Sequence, residues 1–150
     1  MNWAHYAMLS ALFAGLTAVL AKIGVADAPS NLATLVRTLV VAVFAACLVT
    51  WTGELRALKT LGGRDWLALT ASGLATGASW LCYFAALKSG PISGVAPIDK
   101  LSFVVAMALG VLILREPVRP MTWVGAGLIM AGVALTLPTV QETVGRYFSS

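Results

Sequence analysis

Between Trp66 and Leu87 the chain carries no charged residue at all. A stretch of that kind matches the roughly 20 apolar residues that an α-helix needs to cross a bilayer core about 30 Å thick. Four more runs resemble it. One goes from Ala4 to Ala21 and meets Lys22; another from Leu32 to Trp51 contains only Arg37; a third from Pro91 to Leu114 contains only Asp99 and Lys100; the last, Met121 to Leu137, has no charge and is followed by Pro138. Loop chemistry separates them: Asp27-Ala-Pro29-Ser30, Gly62-Gly63, Ser89-Gly90-Pro91 and Glu116-Pro117. Membrane strands alternate polar and apolar residues over about ten positions, and these runs do not. The sequence therefore predicts an all-α membrane protein, one domain over residues 1–150 with five spans at about 4–24, 32–51, 66–87, 91–114 and 121–138.

Composition agrees. Hydrophobic residues make up 59% of the chain and charged residues 11%, where a soluble domain has about a quarter charged. Too little polar surface exists to face water, so the bilayer is the expected surrounding. The net charge of +4 comes from basic residues set between apolar runs. That arrangement reads as loop charge under the positive-inside rule and gives no footprint for nucleic acid. Cys47 and Cys82 lie inside apolar runs without CxxC spacing or a nearby histidine, which argues against a disulfide framework or a metal site. His5 sits at a membrane entrance. No metal cluster, paired carboxylates or nucleophile–histidine arrangement lies in or near a span, so neither an enzyme nor a cofactor is expected.

Loop charges set an orientation. With the N-terminus on one side, that side carries Arg56, Lys59, Arg64, Arg115 and Arg119. The other carries Lys22, Lys88 and Arg146, joined by Arg37 if its side chain snorkels outward. The small excess favours a cytoplasmic N-terminus, and a bias this slight also allows both orientations. Ala26-Asp27-Ala28 imitates a cleavage site, but no Lys or Arg precedes the first apolar run, and that run exceeds a signal peptide's h-region. In the loop 52–65, Leu55, Leu58 and Leu61 recur every three residues, which suits a short helix in the interface. Tyr147-Phe148 in the tail suits the headgroup level.

Polar residues inside the spans mark candidate sites. A charge at a helix centre costs about 2.5–3.5 kcal/mol on insertion scales, so Asp99 and Lys100 are a functional-site hypothesis by default. A purely structural alternative is that they neutralise each other or pin helix packing. Pro97 lacks an N–H and clashes with the Ser93 carbonyl, which predicts a kink or break there. Asp99, just past such a break, would cap the second half-helix. Discontinuous helices of this kind form substrate sites in transporters. In span three, Thr76, Trp80 and Tyr83 make one stripe. An interface belt explains Tyr83, while Thr76 and Trp80 lie deeper and suit a pocket lining. Gly73 and Gly77 form a GxxxG; Gly125 and Gly132 share a face, and Gly127–Ala131 repeats the small-residue spacing, as helix-packing surfaces require.

These residues resemble a known family. The match lies in Thr17-Ala-Val-Leu-Ala-Lys22-Ile-Gly, Arg37-Thr-Leu, Ser72-Gly-Leu-Ala-Thr-Gly-Ala-Ser-Trp80-Leu-Cys-Tyr83-Phe-Ala-Ala-Leu, Val95-Ala-Pro97-Ile-Asp99-Lys100-Leu-Ser102 and Trp123-Val-Gly-Ala-Gly-Leu-Ile-Met-Ala-Gly132-Val. From about Ala4 to Leu137 the chain resembles the EamA-type members of the drug/metabolite transporter superfamily, in their short five-helix form. Two positions depart from that pattern: Ala85 stands where similar sequences often carry a basic residue, and Leu114-Arg115-Glu116 replaces a small residue followed by Glu.

The resemblance implies one half of a transporter, a single unit of an inverted repeat in a multi-pass protein of a prokaryotic-type inner membrane. Its partner would be a second copy in antiparallel orientation or a paralogue. A small polar metabolite or drug would pass along Lys100, Asp99, Pro97, Ser102, Trp80, Tyr83, Thr76 and Arg37. Two other readings stay open. In a flippase for an undecaprenyl-phosphate-type lipid carrier, Arg37 and Lys100 would bind the phosphate. In a non-transporting helper subunit, the buried charges would only specify assembly.

Overall fold

The computed structural model describes residues 2–138 and 140–142. Among them every regular element is helical. In order these are α1 (Trp3–Gly24), α2 (Ser30–Thr52), a 3₁₀ segment (Glu54–Thr60), α3 (Gly63–Ser89), α4 (Ile92–Asp99), α5 (Ser102–Ile113) and α6 (Pro120–Thr136). Two compact units divide the chain, Met1–Ser89 and Gly90–Ser150.

In the first unit, α3 packs against both α1 and α2. Helix ends follow local chemistry. Pro29 holds an extended backbone before α2 and its carbonyl accepts the Ala33 N–H at 3.0 Å. Gly53 closes α2 with φ +74, the left-handed conformation that glycine takes without a Cβ penalty. The Asp65 carboxylate accepts the Gly62 N–H at 3.0 Å, so α3 starts at Gly63, ahead of the apolar run. Asp65 in the first turn and Lys88 in the last both complement the helix dipole. The 3₁₀ segment explains the leucine spacing in the loop: with three residues per turn, Leu55 and Leu58 stack on one face.

Three helices in this unit and the paired α4–α5 stretch are long and apolar enough to cross a membrane, and the 17-residue α6 is shorter. At 1.5 Å per residue, α6 spans about 25 Å. Its start is sharp because Pro120 occupies the first helical position, where a missing N–H removes no bond. Large apolar side chains point outward along all five apolar stretches, including Leu12, Phe44, Leu74, Leu112 and Leu128. Lipid is the solvent that satisfies such a surface.

Burial is concentrated at one end of the first unit. Val25 and Leu87 are fully buried, with Ala18, Ala21, Thr34 and Phe84 close behind. Two lysines fasten that end. Lys22, at the end of the first apolar run, lies in the last turn of α1 and donates to the Leu87 carbonyl. Lys88 donates to the Ala28 carbonyl at 2.8 Å. Carbonyls at the end of α3 and in the α1–α2 connection lack helix partners, and the lysines satisfy one in each.

In the second unit, α4 packs on α6. The interruption of the fourth span falls later than Pro97 predicts. Pro97 sits inside α4, its φ being compatible with a helix, and the chain leaves α-helical geometry at Lys100 and Leu101. There the bonds shorten to three-residue steps: Lys100 N–H to Pro97 O, Leu101 N–H to Ile98 O, and Phe103 N–H to Lys100 O, each at 3.0–3.1 Å. The donor missing at Pro97 is the one the Ser93 carbonyl would accept, and α4 nonetheless continues past it to Asp99. Asp99 is therefore the last residue of α4 and not the cap of the next helix; Leu101 holds the position before α5, with no side-chain cap. A further local strain lies after α5, where Arg115 takes φ +56 and the Glu116 N–H folds back to the Gly110 carbonyl at 3.2 Å.

The glycine faces are open. A Cβ at Gly73, Gly77, Gly125, Gly127 or Gly132 would meet nothing within 4 Å. Among the described residues no helix of the same unit approaches these positions closely. The aromatic pair Tyr147-Phe148 lies outside the described residues.

Candidate functional site

Arg37 is the charge that packing has organised. It lies about two turns into α2, and its guanidinium carbon stands 4.3 Å from the Trp80 ring centre and 5.7 Å from that of Phe84. Trp80 and Phe84 are four residues apart on α3 and so share one face. Leu87, one turn further on, continues this stripe into the buried end of the unit. Tyr83 meets Phe84 edge-on, ring centres 6.4 Å apart. A cation over an aromatic face gains about 0.5–2 kcal/mol, the upper end where water is excluded. The stripe thus gives a charged residue a reason to sit within an apolar helix.

Beside Arg37 a cavity of about 490 Å³ opens between α1 and α2. Thr17, Leu20 and Gly24 line it from α1, Leu32 and Val36 from α2, and Phe84 from α3. Arg37 supplies the only charge among the lining residues. Thr76, a turn before Trp80, is exposed, and its hydroxyl donates to the Ser72 carbonyl at 2.9 Å. It does not line this cavity.

Pro97, Asp99, Lys100 and Ser102 gather at the α4–α5 turn. Lys100 Nζ lies 3.3 Å from Asp99 Oδ2. Neighbouring residues on an α-helix do not face each other, so this contact depends on the chain tightening at Lys100. The pair is open to the surroundings, the Lys100 side chain being 61% exposed and that of Asp99 36%.

The EamA-like transporter family model matches residues 1–137. The chain belongs to the EamA-like transporter family. A relative from a Sinorhizobium species, named an uncharacterized transporter in the cobO 3' region, is 51% identical over 134 residues, covering 89% of this chain and 95% of that protein. No solved structure matches. Within the first unit the structure brings two of the polar residues picked out in the spans, Arg37 and Trp80, into contact. Phe84 and Lys22 were not singled out by the sequence. The i, i+4 spacing of Trp80 and Phe84 was the available signal for the first; nothing local in the sequence pairs Lys22 with Leu87.

Proposed function

We infer that this chain is one half of a secondary carrier, exporting or importing a small polar metabolite or drug by alternating access as an antiparallel dimer, without catalysis. The observation that carries this reading is Arg37: a cation inside an apolar helix, stacked on Trp80 and bordering a cavity, in a member of a transporter family. Lys100 at the interrupted span supplies a second polar point, in the manner of discontinuous transporter helices. The open glycine faces on α3 and α6 leave room for close helix contacts with a second copy. Near-balanced loop charge permits both orientations in an inner membrane, with a cytoplasmic N-terminus in at least part of the population.

Purified protein in liposomes tests transport directly, by uptake screened over amino acids, amines, organic anions and lipid phosphates. Substrate-dependent uptake above protein-free liposomes is expected, and none across the panel overturns the reading. The dimer is tested by adding lysines to the 52–65 and 115–119 loops. A single forced orientation is expected to be inactive alone and active when joined by an oppositely biased version. Full activity from one forced orientation rejects the antiparallel arrangement.

A further inference from the structure

We propose that the cavity between α1 and α2 binds a small amphiphilic organic anion, its carboxylate or similar oxyanion on Arg37 and its apolar body against Leu20, Leu32, Val36 and Phe84. This deepens the carrier reading and rests on it for the movement of the ligand, though not for its binding.

Three observations converge. Charge comes first. Arg37 is the sole charged residue lining the cavity, and among the described residues no carboxylate forms an ion pair with it. Asp27, the acid nearest in sequence, is exposed in the α1–α2 connection. An organic cation entering here would meet a like charge with no compensating acid, while an anion would neutralise Arg37 in a setting poor in water, where the interaction is strongest.

The second observation is geometry. Trp80 stands against the guanidinium at 4.3 Å, and Phe84 at 5.7 Å. An aromatic ring engages the cation's charge and leaves the five in-plane N–H groups in need of acceptors. A planar carboxylate takes two of those donors at once. Lys22 does not compete for the role, since its ammonium is engaged with the Leu87 carbonyl.

The third is size and lining. A volume of about 490 Å³ falls in the range of pockets that hold drug-sized molecules, which are mostly apolar with a few placed polar groups. The cavity is open on one side, where Leu20, Leu32 and Val36 are about half exposed, and an inorganic anion would make no use of those apolar walls. An anion with one charged end and an aromatic or short aliphatic body uses both parts.

The test is equilibrium binding to the full chain in phosphatidylcholine nanodiscs, using radiolabelled phenylbutyrate beside its amine and alcohol analogues, phenylbutylamine and phenylbutanol. Saturable phenylbutyrate binding is expected, with the amine and the alcohol much weaker. Arg37→Ala should weaken phenylbutyrate by about 10- to 100-fold, the worth of a charge-assisted hydrogen bond. Should Arg37→Ala fail to assemble, Ala33→Phe narrows the cavity with Arg37 intact and is expected to block binding. The proposal is overturned if phenylbutyrate does not bind, if the amine binds as tightly, or if both variants bind normally. Exclusion of phenylbutyrate by phosphatidylglycerol nanodiscs, with this lipid retained through Arg37, overturns it too, by assigning the site to a lipid headgroup. Binding without uptake in liposomes leaves the site standing and rejects the carrier; uptake of other solutes without anion binding does the reverse.

Discussion

Arg37 and Lys100 are cations set in the interior of apolar runs, and the structure treats them differently. Arg37 is gripped from another helix, by Trp80 and Phe84, beside a cavity. Lys100 is held by its own chain neighbour, Asp99, at a tightened turn and with most of its side chain exposed. The first charge is fixed by tertiary packing and the second by local backbone geometry. Surroundings of the first kind select a ligand by shape and charge together. Those of the second kind leave a charge exposed within a span, held only by its chain neighbour.

The largest effect should come from breaking the exposed side of this contrast. Lys100→Ala is expected to reduce liposome uptake to background while the protein still inserts and purifies normally. Lys100→Arg should fail as well, because a planar fork does not reproduce a compact ammonium. Normal uptake by Lys100→Ala at normal expression would reduce the Asp99–Lys100 pair to a structural feature, and Arg37 would remain the sole functional cation.

Next comes the packed side. Trp80→Leu removes the stacked ring while keeping an apolar side chain. A cation–π contact of about 0.5–2 kcal/mol corresponds to a loss of about 2- to 30-fold in apparent affinity for the transported solute. Trp80→Phe should retain much of it. An unchanged concentration dependence of uptake in Trp80→Leu would show that the ring only fills space and that Arg37 needs no organising partner.

How far these two regions were legible in the sequence follows from the range of the interactions involved. Asp99 and Lys100 stand side by side, so their pairing was visible before any fold was known. The helical spans were equally visible, because a bilayer imposes length and apolarity on each segment separately. Position within the fourth span was less so. Pro97 marked the interruption, yet the break fell at Lys100, because α4 carries on through Pro97 and the three-residue hydrogen bonds begin beyond it. Arg37 and Trp80 each stood out alone. Their contact did not, because it requires α2 and α3 to meet in one register, and nothing in either segment states that register. The lysine ties to Leu87 and Ala28 were hidden for the same reason.

A third prediction separates packing from polarity in the first unit. Phe84 is 3% exposed and lies where the Arg37 stripe joins the buried end. In lipid the transfer part of a truncation is small, because the tails are as apolar as the side chain. What remains is the cavity, on the order of 24 cal/mol per Å³, or about 2 kcal/mol for the volume lost in Phe84→Ala. Thermal unfolding in nanodiscs should shift down clearly. No shift would mean that the end of the unit closes around the gap and that Arg37 is less firmly held than its neighbours imply.

The smallest effect sharpens the other side. Asp99→Asn removes the charge that Lys100 touches at 3.3 Å while keeping the size of the side chain. Exposed ion pairs are worth about 0–1 kcal/mol, and the turn that brings these residues together is built from backbone bonds at Lys100, Leu101 and Phe103, none of which the substitution alters. The unfolding midpoint should therefore move much less than in Phe84→Ala. Transport is the more telling readout: with its counter-charge gone, Lys100 presents a bare cation, and the concentration dependence of uptake should change although stability does not. A loss of stability equal to that of Phe84→Ala would show that the pair pins the fold, and the division between a packed cation and an available one would collapse.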